Sequence, residues 1–162
     1  PIPSTIIDIG TGSGALAITA KLEVSAAEVR AVDIDAKCLT VAKQNSAAHK
    51  TVVSFSQGDL FEPYLSNTFE RLILLANLPY VPDDYTINQA AMNEPRLAIF
   101  GGQDGLDLYR RLFKQLTTAK ADSLEILTES LPFQHQQLRA IASEHGFTEN
   151  KEEDFIQLFT RG

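Results

Sequence analysis

The run Asp8-Ile9-Gly10-Thr11-Gly12-Ser13-Gly14 constrains this chain more than any other stretch. A β-branched segment, Thr5-Ile6-Ile7-Asp8-Ile9, leads straight into three alternating glycines, and Ala15 to Leu22 then reads as a helix. Glycines in this arrangement permit a tight turn and let backbone N–H groups approach a ligand with no Cβ in the way. The helix start that follows favours negative charge. A chain that begins so is committed to a strand–loop–helix unit, and to a sheet that binds its ligand at one end.

The rest of the chain keeps that alternation. Strand-like runs at Glu28–Ile34, Val52–Ser56, Arg71–Ala76 and Ser123–Thr128 are separated by helical stretches at Ala36–His49, Leu106–Leu116 and Phe133–His145. Asp35 is placed to cap the second helix and Gly146 to close the last. Phe147 to Thr160 has room for two final strands. Between Asn77 and Asp104 the sequence is irregular and carries Pro79, Pro82 and Pro95; such long connections are usually functional or mobile. Right-handed crossovers between these units imply an α/β fold, with a mostly parallel sheet covered by helices on both faces and an antiparallel edge near the C-terminus.

Composition narrows the function classes. At 162 residues the chain is expected to be one domain, residues 1–162. Fourteen Lys and Arg against 21 Asp and Glu give a net charge of −7, which opposes purely electrostatic binding to a nucleic-acid backbone. No apolar run approaches the ~18 residues of a membrane span. Cys38 is the single cysteine and cannot form an internal disulfide, and no secretory signal is present, so a cytoplasmic protein is expected. The three histidines are scattered, and no metal site is expected. The first residue is Pro1 rather than Met, which suggests a trimmed piece of something longer.

Asp33, at the end of the second strand, suits the two hydroxyls of a ribose. Gly10, Gly12 and Ala15 also satisfy the dinucleotide pattern, which keeps an NAD-binding dehydrogenase domain open. The more specific form, an acid two residues before three alternating glycines, resembles the first motif of class I S-adenosylmethionine-dependent methyltransferases. The resemblance implies a Rossmann-like fold with a seven-stranded sheet. It implies that Asp8, Gly10, Thr11, Gly12, Ser13 and Gly14 surround the amino-acid part of S-adenosyl-L-methionine, with Asp33 on the ribose. Asp59 and Leu60, after the third strand, stand where the family places an acid near the adenine amino group and an apolar neighbour against the ring.

Asn77-Leu78-Pro79-Tyr80 resembles the NPPY-type motif of methyltransferases that modify an amide or exocyclic amine nitrogen. There the Asn carboxamide oxygen and a backbone carbonyl accept the two hydrogens of the target NH₂, the Tyr ring packs on the planar target, and the Asn also lies beside the cofactor. Asn77, Pro79 and Tyr80 are thus the expected catalytic residues, and Asn77 to Tyr80 the expected substrate contacts. Leu78 departs from the usual proline and is typical of ribosomal-RNA adenine N6-methyltransferases, the alternative reading.

Two further stretches weigh against RNA. Glu94-Pro95-x-x-Ala98-Ile99 and Gly101-Gly102-Gln103-Asp104-Gly105-Leu106-Asp107-Leu108-Tyr109-Arg110-Arg111-Leu112 resemble signatures of the HemK-type protein-glutamine methyltransferases. Glu129 and Gln134 match the spacing of that family's Glu-Ile-Gly-x-x-Gln, although Ser130-Leu131 replaces Ile-Gly. The resemblance implies methyl transfer from S-adenosyl-L-methionine, leaving S-adenosyl-L-homocysteine, to the side-chain amide of the glutamine in the Gly-Gly-Gln loop of a peptide chain release factor. Gly101-Gly102-Gln103 mimics that loop, but its Asp-Gly-Leu-Asp context marks an enzyme segment. The family also carries an N-terminal helical substrate-docking domain with no counterpart expected in these residues. A monomer is expected, with a protein rather than a nucleic acid or membrane as partner.

Overall fold

The computed structural model describes residues 4–86 and 96–162. Its elements are β1 (Ser4–Ile9), α1 (Ala15–Glu23), β2 (Glu28–Asp33), α2 (Ala36–Ala48), β3 (Ser54–Gln57), β4 (Thr68–Ala76), α3 (Arg96–Ile99), α4 (Asp107–Leu116), β5 (Lys120–Glu129), α5 (His135–Glu144), β6 (Thr148–Glu153) and β7 (Ile156–Arg161). The strands form one sheet in the order β3-β2-β1-β4-β5-β7-β6. The first five strands pair in parallel, whereas β7 runs antiparallel to both β5 and β6. Mostly parallel with an antiparallel C-terminal edge, this is the Rossmann-like arrangement expected from the sequence.

Alternation along each strand divides the core between two faces. Ile7, Ile9, Val32, Leu72, Leu74, Ala76, Leu124 and Ile126 share the larger cluster with Leu112, Phe113 and Leu116 of α4 and Leu138 and Ile141 of α5. Phe113 meets Phe147 and Phe159 edge-on, with centroids 5.1 and 5.6 Å away. This is a favoured aromatic geometry. On the other face Ile6, Val29 and Ala31 pack with Ala17 of α1, and the half-buried Phe55, Ile73 and Leu75 lie against them.

The order of strands places the site. From β1 the sheet grows outward through β2 and β3 in one direction and through β4 and β5 in the other, so the loops after β1 and β4 part and leave a crevice. Ile9 pairs with both Val32 and Ala76, and Ala76 pairs with Thr128. One residue further along each strand stand Gly10, Asp33, Asn77 and Glu129, on one level at the carboxyl end of the sheet.

Some boundaries differ from the sequence expectation. β4 and β5 begin earlier, at Thr68 and Lys120, because each extends the other: Thr68 pairs with Lys120 and Phe69 with Ala121. β3 begins later, at Ser54, and Val52 is exposed. Phe133 lies in a single 3₁₀ turn, Pro132–Gln134, ahead of α5 and not within it. Glu94 and Pro95 lie outside the described residues. Asp35 caps α2 as expected, accepting from the Lys37 N–H at 2.8 Å. Edge strand β6 carries Glu149, Lys151, Glu152 and Glu153, charges that discourage edge-to-edge pairing with another chain. Among the described residues no helix is long and apolar enough to cross a membrane.

Candidate active site

The loop after β1 is held from below by backbone and by two carboxylates. The N–H groups of Gly10 and Thr11 both donate to the Val32 carbonyl, each at 2.9 Å. Asp8 is 1% exposed and accepts from the Thr11 hydroxyl at 2.6 Å and from the Ala17 N–H at 3.1 Å, tying the loop to the first turn of α1. Burial raises the Asp8 pKa to about 6 against the pull of these two donors, and the nearby Asp33 charge adds to the rise. Asn45 of α2 donates to the Ser13 carbonyl at 2.9 Å.

Asp33 serves the same loop from β2. One carboxylate oxygen accepts the Gly12 N–H at 2.8 Å, and the other accepts the Asp35 N–H at 2.9 Å. Gly12 has φ +54°, a left-handed conformation that L side chains rarely adopt, and a Cβ there would meet no atom within 4 Å. The backbone is bare on that side, which is the condition for a ligand to lie directly on it. A Cβ on Gly10 would lie 3.0 Å from the Leu78 side chain, so the glycine loop and the tetrapeptide after β4 touch.

The turn after β3 closes the near side. The Gly58 N–H donates to the Asp33 carbonyl at 3.1 Å. The Asp59 carboxylate is paired with Arg111 of α4. Gln115 of the same helix accepts from the Phe61 N–H at 2.8 Å and donates to the Asp59 carbonyl at 3.3 Å. Leu60 is buried with φ +55°, a strained backbone for a residue with a side chain. Such strain clusters at functional sites.

Across the crevice, Asn77 is exposed, and its carboxamide makes no hydrogen bond with any other described residue. Its neighbours are all secured. Leu78 is buried, and the half-buried Tyr80 donates its hydroxyl to Glu129 Oε1 at 2.8 Å. Burial first, and then the Glu129 carboxylate, push the Tyr80 pKa up to about 12. The Gln134 amide donates to the carbonyls of Tyr80 and Asp104, at 2.8 and 2.7 Å, and accepts from the Leu131 N–H at 2.8 Å.

The stretch from Gly101 to Arg110 is a brace for that tetrapeptide. Gly101 donates to the Val81 carbonyl at 2.9 Å and accepts from the Asp107 N–H at 3.0 Å. A Cβ on Gly105 would collide with the Tyr80 carbonyl and the Gln134 amide. Asp104 is gripped by Arg110, Gln137 and the Leu106 N–H, and Arg110 above all holds its pKa down, to about 2.

The expected residues therefore gather at one end of the sheet. Asp8 lies beneath the loop with its bonds committed to Thr11 and Ala17, and Asp59 is engaged by Arg111. Sequence reasoning missed Arg111, Gln115 and Tyr109. Tyr109 sits in the apolar stripe of α4 and is fully buried, yet its hydroxyl shares its one proton between the carbonyls of Ala76 and Glu129. Its place in the Gly101–Leu112 signature, and a hydroxyl inside an otherwise apolar stripe, are the signals that could have marked it.

Comparison with known proteins agrees with this fold. The family model of the methyltransferase small domain matches residues 2–93. The release factor glutamine methyltransferase of Bacillus cereus is 39% identical over 114 residues, 68% of this chain and 40% of that protein. The protein of the same name from Lactococcus lactis is 33% identical over 142 residues, 86% of this chain and 52% of its own length. The chain thus spans about half the length, or less, of these relatives. Among solved structures, the ribosomal protein L11 methylase of Lactobacillus delbrueckii subsp. bulgaricus superposes with a TM-score of 0.64 at 18% identity, covering 98% of this chain and 69% of that one. The Thermus thermophilus 16S rRNA N2 G1207 methyltransferase, in complex with AdoMet and guanosine, gives 0.66 at 18%, covering 96% of this chain and 36% of that one. At such identities the likeness concerns the fold. With a matching family model over more than half its length and a crevice built as described, the chain belongs to the methyltransferase small-domain family.

Proposed function

We propose that this domain transfers a methyl group from S-adenosyl-L-methionine to the side-chain amide nitrogen of a glutamine in a peptide chain release factor. The observation that carries the reading is Asn77: an exposed carboxamide with no partner among the described residues, level with the glycine loop and Asp33. The curated relatives named for release factor glutamine support the choice of acceptor. S-adenosyl-L-methionine would supply an electrophilic methyl on a cationic sulfur. The bare backbone at Gly12 fits such a molecule, since a Cβ there would meet no protein atom. Gly10 to Gly14 would hold its amino-acid part. Asp33, whose two oxygens each accept one backbone N–H, would turn its remaining lone pairs to the ribose hydroxyls, with Asp59 and Leu60 beside the base.

An amide nitrogen is a poor nucleophile because its lone pair is shared with the carbonyl. The Asn77 carboxamide oxygen and a backbone carbonyl of the tetrapeptide would accept its two hydrogens, orienting the nitrogen and favouring the positive charge that develops on it. The Tyr80 ring would lie against the flat amide. Positioning and preorganised acceptors would supply the rate. As the N–CH₃ bond forms the S–CH₃ bond breaks, and the neutral thioether S-adenosyl-L-homocysteine leaves. The proton shed by the nitrogen passes to solvent water, no general base being evident among these residues. The setting proposed is the cytoplasm, with the enzyme working as a monomer.

Incubation with methyl-labelled S-adenosyl-L-methionine and, separately, a release factor and ribosomal RNA tests the reading. Label on the glutamine amide is the expected result; label in RNA and none in protein would reverse it. S-adenosyl-L-methionine at a hundred times its Kd should stabilise the fold by about 2.7 kcal/mol. NAD should not.

A further inference from the structure

The two ends of the Asn77–Tyr80 tetrapeptide are tied to the same residue. Downstream, the Tyr80 hydroxyl donates to Glu129 Oε1 at 2.8 Å. Upstream, the buried Tyr109 hydroxyl lies 2.9 Å from the Ala76 carbonyl and 2.6 Å from the Glu129 carbonyl, its one proton shared between them. Together with the chain from Ala76 to Tyr80 these links close a ring around Asn77, Leu78 and Pro79. The strand register explains why a side chain is needed there. Ala76 and Thr128 are the last paired residues of β4 and β5. Tyr109, reaching in from α4, spans the gap where the next backbone rung would be. It is fully buried.

We infer that Glu129 is a positioning residue for methyl transfer: its carboxylate fixes the Tyr80 ring, and its backbone, through Tyr109, fixes the peptide before Asn77. The carboxamide and the ring that flank the target amide are thereby held at one separation. The inference rests on the amide-methylation reading given above. Asn77 itself has no tether among the described residues, which leave its acceptor oxygen available. With the Tyr80 pKa at about 12, the phenol keeps its proton, and hence the tie, across the whole working range of pH.

Four variants test this: Glu129→Ala, Glu129→Gln, Tyr80→Phe, and Glu129→Ala combined with Tyr80→Phe. Each is assayed for kcat, for KM toward a release factor and for the Kd of S-adenosyl-L-methionine. Glu129→Ala should lower kcat on the order of tenfold, the scale of one lost hydrogen bond to a charged acceptor. Cofactor Kd should stay within about twofold, because the glycine loop and Asp33 take no part in the tie. Glu129→Gln, which keeps an oxygen acceptor, should recover most of the loss. Adding Glu129→Ala to Tyr80→Phe should cost little more, since both remove the same bond.

Unchanged kcat in Glu129→Ala would overturn the inference, and so would a Gln variant as impaired as Ala or fully additive losses. A readout independent of turnover is the ¹³Cζ resonance of Tyr80, assigned by its disappearance in Tyr80→Phe. It should shift in Glu129→Ala and hold its place in Glu129→Gln. An unmoved resonance in Glu129→Ala would show that the tie does not exist. If the wild type methylates no release factor, the proposed reaction fails while this resonance still decides whether Glu129 holds Tyr80.

Discussion

The two sides of the crevice are built by opposite means. On the β1–β2 side, the groups that would face the cofactor are locked by nearby backbone: Asp33 holds Gly12 and Asp35, Asp8 holds Thr11 and Ala17, and the Val32 carbonyl holds two N–H groups of the glycine loop. On the β4–β5 side the proposed acceptor, Asn77, has no partner among the described residues and its surroundings are tight. Tyr109, Glu129 and Gln134, all distant in sequence, secure the residues on either side of it. A cofactor site can be satisfied by its own loop, because that loop is shaped for a ligand always of one kind. An acceptor for a transient charge must stay unsatisfied until the substrate arrives, so its geometry has to be imposed through its neighbours.

That contrast breaks most sharply at Asn77. Asn77→Ala should cut methyl transfer on the order of a hundredfold or more, as for one preorganised polar contact at a reacting centre, and leave cofactor Kd almost unchanged. Turnover on a release factor together with calorimetric titration of S-adenosyl-L-methionine checks this; wild-type turnover would make the tetrapeptide a structural loop. Asp33→Ala should do the converse. It removes a charged acceptor, worth about 1.5–3 kcal/mol per bond, so affinity should fall roughly tenfold to a hundredfold. Turnover at saturating cofactor should change far less. An unaltered Kd would place the ribose elsewhere.

The smallest effect sharpens the comparison through pH. Asp8 is an acid whose pKa rises on folding, from 3.8 to about 6. The stability it contributes is complete below pH 3.8 and is lost as pH climbs through 6. Between pH 5 and 7 the loss amounts to about 1.3 kcal/mol. Asp8→Asn retains an oxygen acceptor for Thr11 and Ala17 and has no proton to lose, so this pH dependence should vanish in the variant. Urea denaturation at the two pH values decides it. An equal slope in both proteins would assign the titration to another group.

The β1–β2 side is also the side the sequence discloses. The tight glycine turn and the Asp35 cap follow from turn and capping chemistry, whereas the ribose role of Asp33 is what the family resemblance implies. The other side is legible only in part. Asn77 to Tyr80 can be picked out as a motif, but nothing in the spacing of Leu106, Tyr109, Leu112, Phe113 and Leu116 separates a bridging phenol from another core ring. Its acceptors, the carbonyls of Ala76 and Glu129, become neighbours only once β4 and β5 pair. The early start of β5 is hidden for a similar reason. Lys120 to Ser123 lacks the apolar alternation of a strand and is extended because β4 runs alongside it. The pairing of Asp59 with Arg111 likewise depends on α4 coming to rest beside the turn after β3.

Sequence separation sets an order in time as well. The bond from Gly12 to Asp33 joins residues 21 apart, whereas Tyr80 to Glu129 spans 49 and Gln134 to Tyr80 spans 54. Long-range contacts are the slow ones to assemble, since chain entropy is given up before they form. The Gly12–Asp33 part of the proposed cofactor cradle therefore needs only the first two strands and the helix between them, whereas Asp59 waits for Arg111 of α4. The setting of Asn77 waits for β5 and the 3₁₀ turn beyond it, far later in the chain. For a polypeptide emerging from its N-terminus, the ribose end of the proposed cradle would form first, and the setting of Asn77 among the last.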